Sequence, residues 1–379
     1  MTDSLIFKSR WFIYFLFRIF MTLNPDNLVS LDAAHDALWD ELVAASPQGS
    51  VFMRSQWLQM MQTTSQSQLC IDRFGIFGKD QKLEAGWAIP FHYKSGFKLR
   101  LSYGYGLRYS GPMLNQDLTR NPRKIMRRNQ VLALFSSHAA ERYDFIVSDC
   151  HPEFTDPREF IYQNWNVVLE YYHAWDLSDL DATFSKLESE KRREIRRGLE
   201  TYQFAHETIG PDTYAAFTAL YLETMRLRHG VFLNDDWVKE LEPRLLWMQD
   251  QAGCRLYTAK SQDSQTIASL VVIISPEDET AYFWMVGSDQ NQRDSRIVPS
   301  LYWYAAKDIR LSDSRVKFAN LGTSPMRSLS HFKDLLGADS VLTFRLIKNK
   351  PSSKAFAWHA LRNAKQTIRS LKAKLQSKA

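Results

Sequence analysis

Between Phe318 and Leu342 the sequence FANLGTSPMRSLSHFKDLLGADSVL gathers side chains able to do chemistry. Thr323 and Ser324 offer hydroxyls to a polar substrate. Arg327 and Lys333 offer positive charge to a phosphate or carboxylate. Lys333 and His331 are the groups able to move a proton. The plain alternative is a surface loop with a solvated Lys and His, because a lone His more often serves structure. His229 has the same standing.

The elements that must position these residues follow from the pattern around them. An apolar run (Val316, Phe318, Leu321) predicts a strand, and Gly322-Thr323-Ser324-Pro325 predicts a turn that stops it. Leu329, Phe332, Leu335 and Leu336 are spaced for one helical face, and Gly337 suits the helix end. Val341 to Leu346 predicts a return strand. Strand, loop, short helix and strand place the reactive side chains at a strand end, where α/β sites are commonly built.

Earlier in the chain, Asp32–Ala45 reads as a helix, SVFMRSQWLQMMQ as a short strand and helix, and 71–92 as a hairpin turning at KDQK. The run 97–112 reads as a strand and a Gly/Tyr-rich loop, with Tyr103 and Tyr105 able to stack on a substrate or fill a core. A helix over 129–142 and strands at 143–147 and 166–177 follow. Residues 178–200 read as one charged helix with a cationic knot at Lys191, Arg192, Arg193, Arg196 and Arg197. Such a knot invites a phosphate or carboxylate, or is a solvated face balanced by Glu188, Glu190 and Glu194. Two helices, a three-stranded antiparallel meander over 254–289, and a helix with Pro299 in its first turn complete the second half. The two halves repeat one order of elements, which predicts a duplicated α/β module.

The totals agree. A length of 379 residues predicts two domains, and 45% hydrophobic composition excludes wholesale disorder. Cys70, Cys150 and Cys254 lie far apart, which fits a reducing compartment and small buried side chains, not a disulfide framework. The net charge of +6 is carried by the ends: residues 348–379 hold nine Lys or Arg and no acid, and the body is mildly acidic. A nucleic-acid-binding core is therefore not implied.

Residues 5–20 (LIFKSRWFIYFLFRIF) are too short and too charged to span a bilayer. They read as an interfacial segment, or as untranslated if the chain starts at Met21. In the tail, residues 353–378 set Trp358, Leu361, Ile368, Leu371 and Leu375 on one helical face amid Lys and Arg. That pattern suits a membrane surface, an RNA, or packing on the body. No Ser-His-Asp spacing, metal-ligand cluster, or Walker or Rossmann glycine pattern is legible, so hydrolase and nucleotide-hydrolysis functions have no support here.

Four stretches carry a resemblance: VFMRSQW (51–57), KRREIRRGLE (191–200), YFWMVGSD (282–289) with Pro299, Leu301 and Trp303, and NLGTSPMRSLSHFKDLLGA (320–338). Across roughly 25–347 the sequence resembles the FemAB/FemX-like and CelD/BioF-like acyltransferases, which carry tandem GNAT (N-acetyltransferase-like) folds. The resemblance implies an α/β (α+β) fold of two GNAT-like domains, 25–175 and 176–347, each a mixed, mostly antiparallel sheet flanked by helices. They lie between an apolar-basic segment (1–24) and a basic tail (348–379). It implies an enzyme moving an acyl or aminoacyl group to an amine or hydroxyl of a cell-envelope or exopolysaccharide precursor. The implied co-substrate is acyl-CoA or aminoacyl-tRNA, with no tightly bound cofactor and no metal. The acceptor is a small-molecule or lipid-linked saccharide. The tail then adds membrane-surface contact, with tRNA the less favoured partner, and the location is the cytoplasm or the inner face of the membrane. Met285, Val286 and Gly287 on the central strand, with Arg293 and Arg296 beyond it, become donor contacts. Thr323, Ser324, Arg327, Tyr103 and Tyr105 become substrate contacts, and Lys333 and His331 the catalytic groups. One departure stands out. The turn Asn291–Arg296 has no Gly, so the backbone nest that holds the pyrophosphate of CoA in GNAT enzymes is missing. The non-enzyme rival is a GNAT-like scaffold that binds a partner through the 96–112 loop and the tail. An aminoacyl-tRNA-dependent peptidoglycan-bridge ligase is the other alternative.

Overall fold

The run TIASLVVIIS has no polar face, and a strand of that kind must be covered on both sides. It is the strand Thr266–Ser275, buried along nearly its whole length. The computed structural model describes residues 28–350, apart from 66–68, 95–98, 103–106 and the single positions 232, 234, 252, 293 and 325. The first-half strands are β1 (Leu28–Leu31), β2 (Cys70–Phe77), β3 (Leu83–Lys94), β4 (Leu99–Ser102), β5 (Met113–Leu114), β6 (Phe145–Asp149) and β7 (Asn166–Asp176). The second half adds β8 (Gln203–Glu207), β9 (Arg255–Lys260), β10 (Thr266–Ser275), β11 (Thr280–Ser288), β12 (Phe318–Thr323) and β13 (Asp339–Asn349). The first-half helices are α1 (Asp36–Ala45), α2 (Ser55–Thr63), α3 (Gln116–Arg120), α4 (Ile125–Arg142) and α5 (Arg158–Tyr162). Those of the second half are α6 (Leu180–Lys186), α7 (Ser189–Thr201), α8 (Pro211–His229), α9 (Asp235–Gln251), α10 (Ile297–Ser312) and α11 (Arg327–Leu335).

The expected order of elements holds except at Val51–Met53, where a single 3-10 turn with all three side chains buried replaces the expected short strand, and the structure adds β1, β5, β8, α3 and α5. The charged stretch 178–200 is not one helix. It breaks at Leu187, because the Glu188 carboxylate accepts the Glu190 backbone N–H at 2.7 Å and caps a new start for α7. The cationic knot is partly spent internally. Lys191 pairs with Glu194 at 2.6 Å, Arg192 donates to the Ser185 carbonyl at 3.1 Å, and Arg196 lies over the Phe184 ring. Cys150 and Cys254 are buried as expected, whereas Cys70 is exposed.

The strands form one sheet in the order β1-β2-β3-β4-β6-β13-β7-β12-β11-β10-β9-β8, with β5 beside β3. Among the described residues it is antiparallel except at β4/β6 and β11/β12, one parallel pair in each half. Between those pairs the halves exchange strands. β7, from the first half, pairs with β12, and β13, the last strand, pairs with β6. β7 and β13 then run side by side from Asp339↔Ala174 to Ile347↔Asn166. Continuous pairing makes the junction of the halves a fixed surface, not a hinge.

A core built from both halves backs that junction, and the VFMRSQW stretch is its anchor. Phe52 packs edge-on against Trp57 and against Tyr282 of β11, both with ring centroids 4.9 Å apart. The Val51 N–H donates to Ser275 Oγ at 3.0 Å, and Arg54 Nε to Glu277 Oε1 at 2.7 Å. No helix among the described residues is long and apolar enough to cross a membrane. The expectations for 1–24 and for 353–378 fall outside the described residues.

Candidate functional site

Parallel pairing of β11 and β12 ends at Tyr282↔Asn320. Beyond it β12 turns toward β7, reaching Thr323↔Tyr172, while β11 runs on to Ser288 paired only with β10. The strands part, and a cavity of about 190 Å³ opens at the junction of the halves. Its wall includes Arg108, Glu170, Tyr172, Trp284, Thr323 and Arg345. Six elements or loops contribute, counting Asp149 of β6, and the strand exchange is what brings them together.

The wall is polar and ordered. Arg345 stands between two carboxylates, with Nε 2.6 Å from Asp149 Oδ1 and Nη1 2.7 Å from Glu170 Oε1. Arg108 Nη2 donates to Asn320 Oδ1 at 2.9 Å, and Asn320 Nδ2 donates to the Tyr109 hydroxyl at 3.1 Å. Burial pushes the Tyr109 phenol up to about 12, so it stays protonated. Behind it the Tyr282 hydroxyl donates to Asp278 Oδ2, which His151 Nε2 approaches at 3.3 Å. His151 Nδ1 accepts the Glu153 backbone N–H at 3.2 Å, which leaves the ring proton on Nε2, facing Asp278.

Lys333 stands beside this wall. Its side chain is almost fully buried, and Nζ donates to the carbonyls of Gly322 at 2.8 Å and Thr323 at 2.9 Å. Burial, and secondarily the Arg108 charge, hold its pKa down to about 7. Gly322 has φ +87°, and a Cβ there would lie 3.6 Å from Lys333 Nζ and 3.7 Å from Arg108 Nη2. Two cations therefore approach one bare glycine.

Thr323 lies in the cavity wall. Arg327 is exposed on the first turn of α11, outside that wall. His331 does not join Lys333. Residues two apart on a helix face opposite ways, so burying Lys333 turns His331 to solvent. Met285 is packed into the inter-half core, and Val286 lies against the core of the second half. Gly287 abuts the backbone of α8, where a Cβ would lie 2.4 Å from the Tyr221 nitrogen. Tyr103, Tyr105 and Arg293 lie outside the described residues.

Arg296 is not a free anion-binding group. It is locked to Asp294, with Nε 2.9 Å from both carboxylate oxygens and Nη2 2.5 Å from Oδ2. Asp294 also accepts the Arg296 N–H and the Tyr202 hydroxyl, and Arg296 foremost holds its carboxyl down to about 2. An anion thus already sits at the start of α10, where Pro299 removes one donor from the first turn.

The sequence missed His173. It is buried on β7, with Nδ1 3.2 Å from Ser324 Oγ and Nε2 3.2 Å from Asp334 Oδ1. Serine and aspartate stand 151 and 161 residues away along the chain, so spacing alone carries no signal of the grouping. No group of acids, His and Cys suited to a metal ion occurs among the described residues.

The profile of the Acetyltransferase (GNAT) domain matches residues 185–325, which take in the opening between β11 and β12. Residues 185–325 form a GNAT domain. Over 86% of its length the chain shares its fold with the crystal structure of FemX, at a TM-score of 0.59 and 12% identity, covering 98% of that chain. It likewise resembles a tandem GNAT protein from the clavulanic acid biosynthesis pathway: TM-score 0.52 at 13% identity, over 86% and 99%. A conserved protein of unknown function from Bacteroides thetaiotaomicron gives a TM-score of 0.52 at 12% identity, over 84% and 98%. No curated protein matches the sequence. The expected resemblance to the FemAB and tandem GNAT group holds for the fold. The GNAT domain supplies Trp284, Asn320 and Thr323, while Arg108, Tyr172 and Lys333 come from outside it.

Proposed function

We propose that the chain is an acyltransferase that moves an acyl or aminoacyl group to an amine or hydroxyl of a polar cell-envelope precursor held at the central cavity. The observation that carries this is the parting of β11 and β12 directly beside a polar cavity. Among the described residues the backbone of β11 past Tyr282 has no strand neighbour on the cavity side, so, Ser288 excepted, whose N–H donates to Thr224 Oγ1, it can offer N–H groups to an acyl carbonyl as charge builds there. The cavity suits the reacting group of an acceptor, with the remainder lying outside. Asp149 and Glu170 attract an arriving ammonium, and Arg108 attracts a neighbouring carboxylate or phosphate. Lys333, with its pKa near 7, takes the proton that such an ammonium must lose before it can attack.

The Asp294 carboxylate at the start of α10 favours a donor that brings no pyrophosphate there, such as an aminoacyl ester. The test is a thermal-shift comparison of the full chain with acetyl-CoA, a long-chain acyl-CoA and charged tRNA, since a ligand of the native state raises the midpoint. A shift with charged tRNA and none with CoA esters is the expected result. A shift with a CoA ester overturns the donor assignment. No shift, with no acyl transfer to cell-envelope extracts, overturns the enzyme reading in favour of a binding scaffold.

A further inference from the structure

A second cavity, of about 480 Å³, opens on the junction of the halves, across the shared core from the first. It lies where β9 begins, β10 ends and the chain enters β12, whereas β11 and β12 part at their far ends. α1 and α2 of the first half and α9 of the second also supply its wall. Trp57 stands in this wall and Trp284 in the wall of the central cavity, with ring centroids 6.5 Å apart. The two cavities therefore stand back to back across a pair of indoles. We infer that the second cavity is a binding site for an uncharged mono- or disaccharide.

The charges in the wall argue for an uncharged ligand. Arg54, Arg255 and Arg315 line it against Asp40, Glu277 and Asp313, and all are already engaged. Arg54 Nε lies 2.7 Å from Glu277 Oε1, and Arg315 Nη2 2.8 Å from Asp313 Oδ2. Arg255 Nη1 donates to Ser312 Oγ at 2.6 Å and lies 3.3 Å from Asp308 Oδ2. Asp40 accepts the Ser55 backbone N–H at 2.8 Å and its hydroxyl at 2.7 Å. An arriving phosphate or ammonium would have to break one of these pairs, at a cost in a partly buried wall. A hydroxyl breaks none, because a guanidinium and a carboxylate each have more donor or acceptor positions than these pairs use. It also both donates and accepts, which matches a wall that mixes the two.

The wall has an apolar face as well. Trp247 is half-buried there and meets the fully buried Trp57 edge to face, with centroids 6.3 Å apart. Ile274 and Pro276 join them. An indole suits the C–H face of a pyranose while polar groups hold its rim. Trp57 Nε1, moreover, is a buried donor with no acceptor among the described residues. A ligand oxygen would supply one and remove the cost of leaving it unmet. The volume falls within the range of about 300–1,000 Å³ usual for small-molecule sites, which favour the boundary of two domains.

The experiment titrates the full chain with N-acetylglucosamine and with cellobiose by calorimetry, alone and in excess inorganic phosphate or glycine, and follows the melting midpoint. The expected result is about one equivalent of sugar bound, undisplaced by phosphate or glycine, and a midpoint that rises with the logarithm of sugar concentration. Trp247→Ala and Arg54→Ala should each weaken sugar binding by roughly 10-fold, the worth of one good contact. Thr323→Val, in the central cavity, should leave it unchanged. Arg54 is partly exposed, so that variant decides the matter if Trp247→Ala does not fold. No binding of either sugar, binding that neither variant weakens, or binding lost in Thr323→Val overturns the inference. Displacement of the sugar by phosphate or glycine overturns the uncharged class. Acyl transfer is not read at any step, so failure here leaves the acyltransferase reading standing.

Discussion

The Asp294 carboxylate grips the Arg296 guanidinium in front of α10, two residues apart in sequence and 2.5 Å apart at the closest contact. A loop arginine placed to hold phosphate is thereby neutralised by its own neighbour. Asp294→Asn should weaken this clasp and cost about 1 kcal/mol, the size of a well-formed pair at a partly exposed site. The sign in pH follows from the depressed carboxyl. Its contribution is full above the unfolded value near 4 and is lost as pH falls through about 2. Urea unfolding of both proteins should show a stability gap at pH 7 that closes toward pH 2. A gap independent of pH would mean that the carboxylate is not its source.

Phe52 joins the halves through Trp57 and Tyr282, and Arg54 joins them through Glu277. The two contacts should differ in weight. Phe52 is fully buried, so Phe52→Ala leaves a cavity in the shared core and should cost about 3–5 kcal/mol. Arg54 is partly exposed, so Arg54→Ala should cost about 1 kcal/mol or less. Equal losses in denaturant titrations would show that the ion pair carries as much of the junction as the aromatic cluster.

This difference also bears on what the sequence could disclose. Helix and strand positions follow from local apolar spacing, so the run from β12 through α11 to β13 is legible in the residues themselves. The strand exchange is not. Nothing in NVVLEYYHAWD says that it will pair with β12 rather than stay among the first-half strands, because pairing is decided by surfaces far apart in sequence. The site divides in the same way. Lys333 and Ser324 were visible in one short segment, whereas His173 and Arg108 reach it only through the assembled sheet. That His331 and Lys333 face opposite ways is legible in their spacing, whereas which of the two is buried is decided by how α11 packs.

The family resemblance makes Gly287 a donor contact, and its surroundings give the glycine another reason to be there. A Cβ would meet the Leu220 carbonyl carbon at 2.6 Å and the Tyr221 nitrogen at 2.4 Å, and backbone cannot move aside as a side chain can. Gly287→Ala should push α8 from β11 and destabilise the chain by about 1–3 kcal/mol, the range for overpacking. Thermal unfolding measures this directly. A variant with unchanged stability and lost transfer activity would return Gly287 to the donor site.

Lys333 makes the sharpest prediction in pH. Its folded pKa is lowered, unlike that of a lysine that gains an acidic partner, so the sign reverses. Between about 7 and the unfolded value near 10 the unfolded chain binds a proton that the folded chain has released. Stability from this group therefore rises with pH across that window, by up to about 1.4 kcal/mol per unit, and is lowest below 7. Lys333→Met should flatten the rise. It should also leave the Gly322 and Thr323 carbonyls without their donor, so the variant remains the less stable form at high pH, where the wild-type amine is neutral and still able to donate. Denaturant midpoints taken from pH 6 to 10 separate the two effects. Parallel pH profiles for both proteins would show that Lys333 keeps its proton throughout, and would remove it as the base that readies the acceptor.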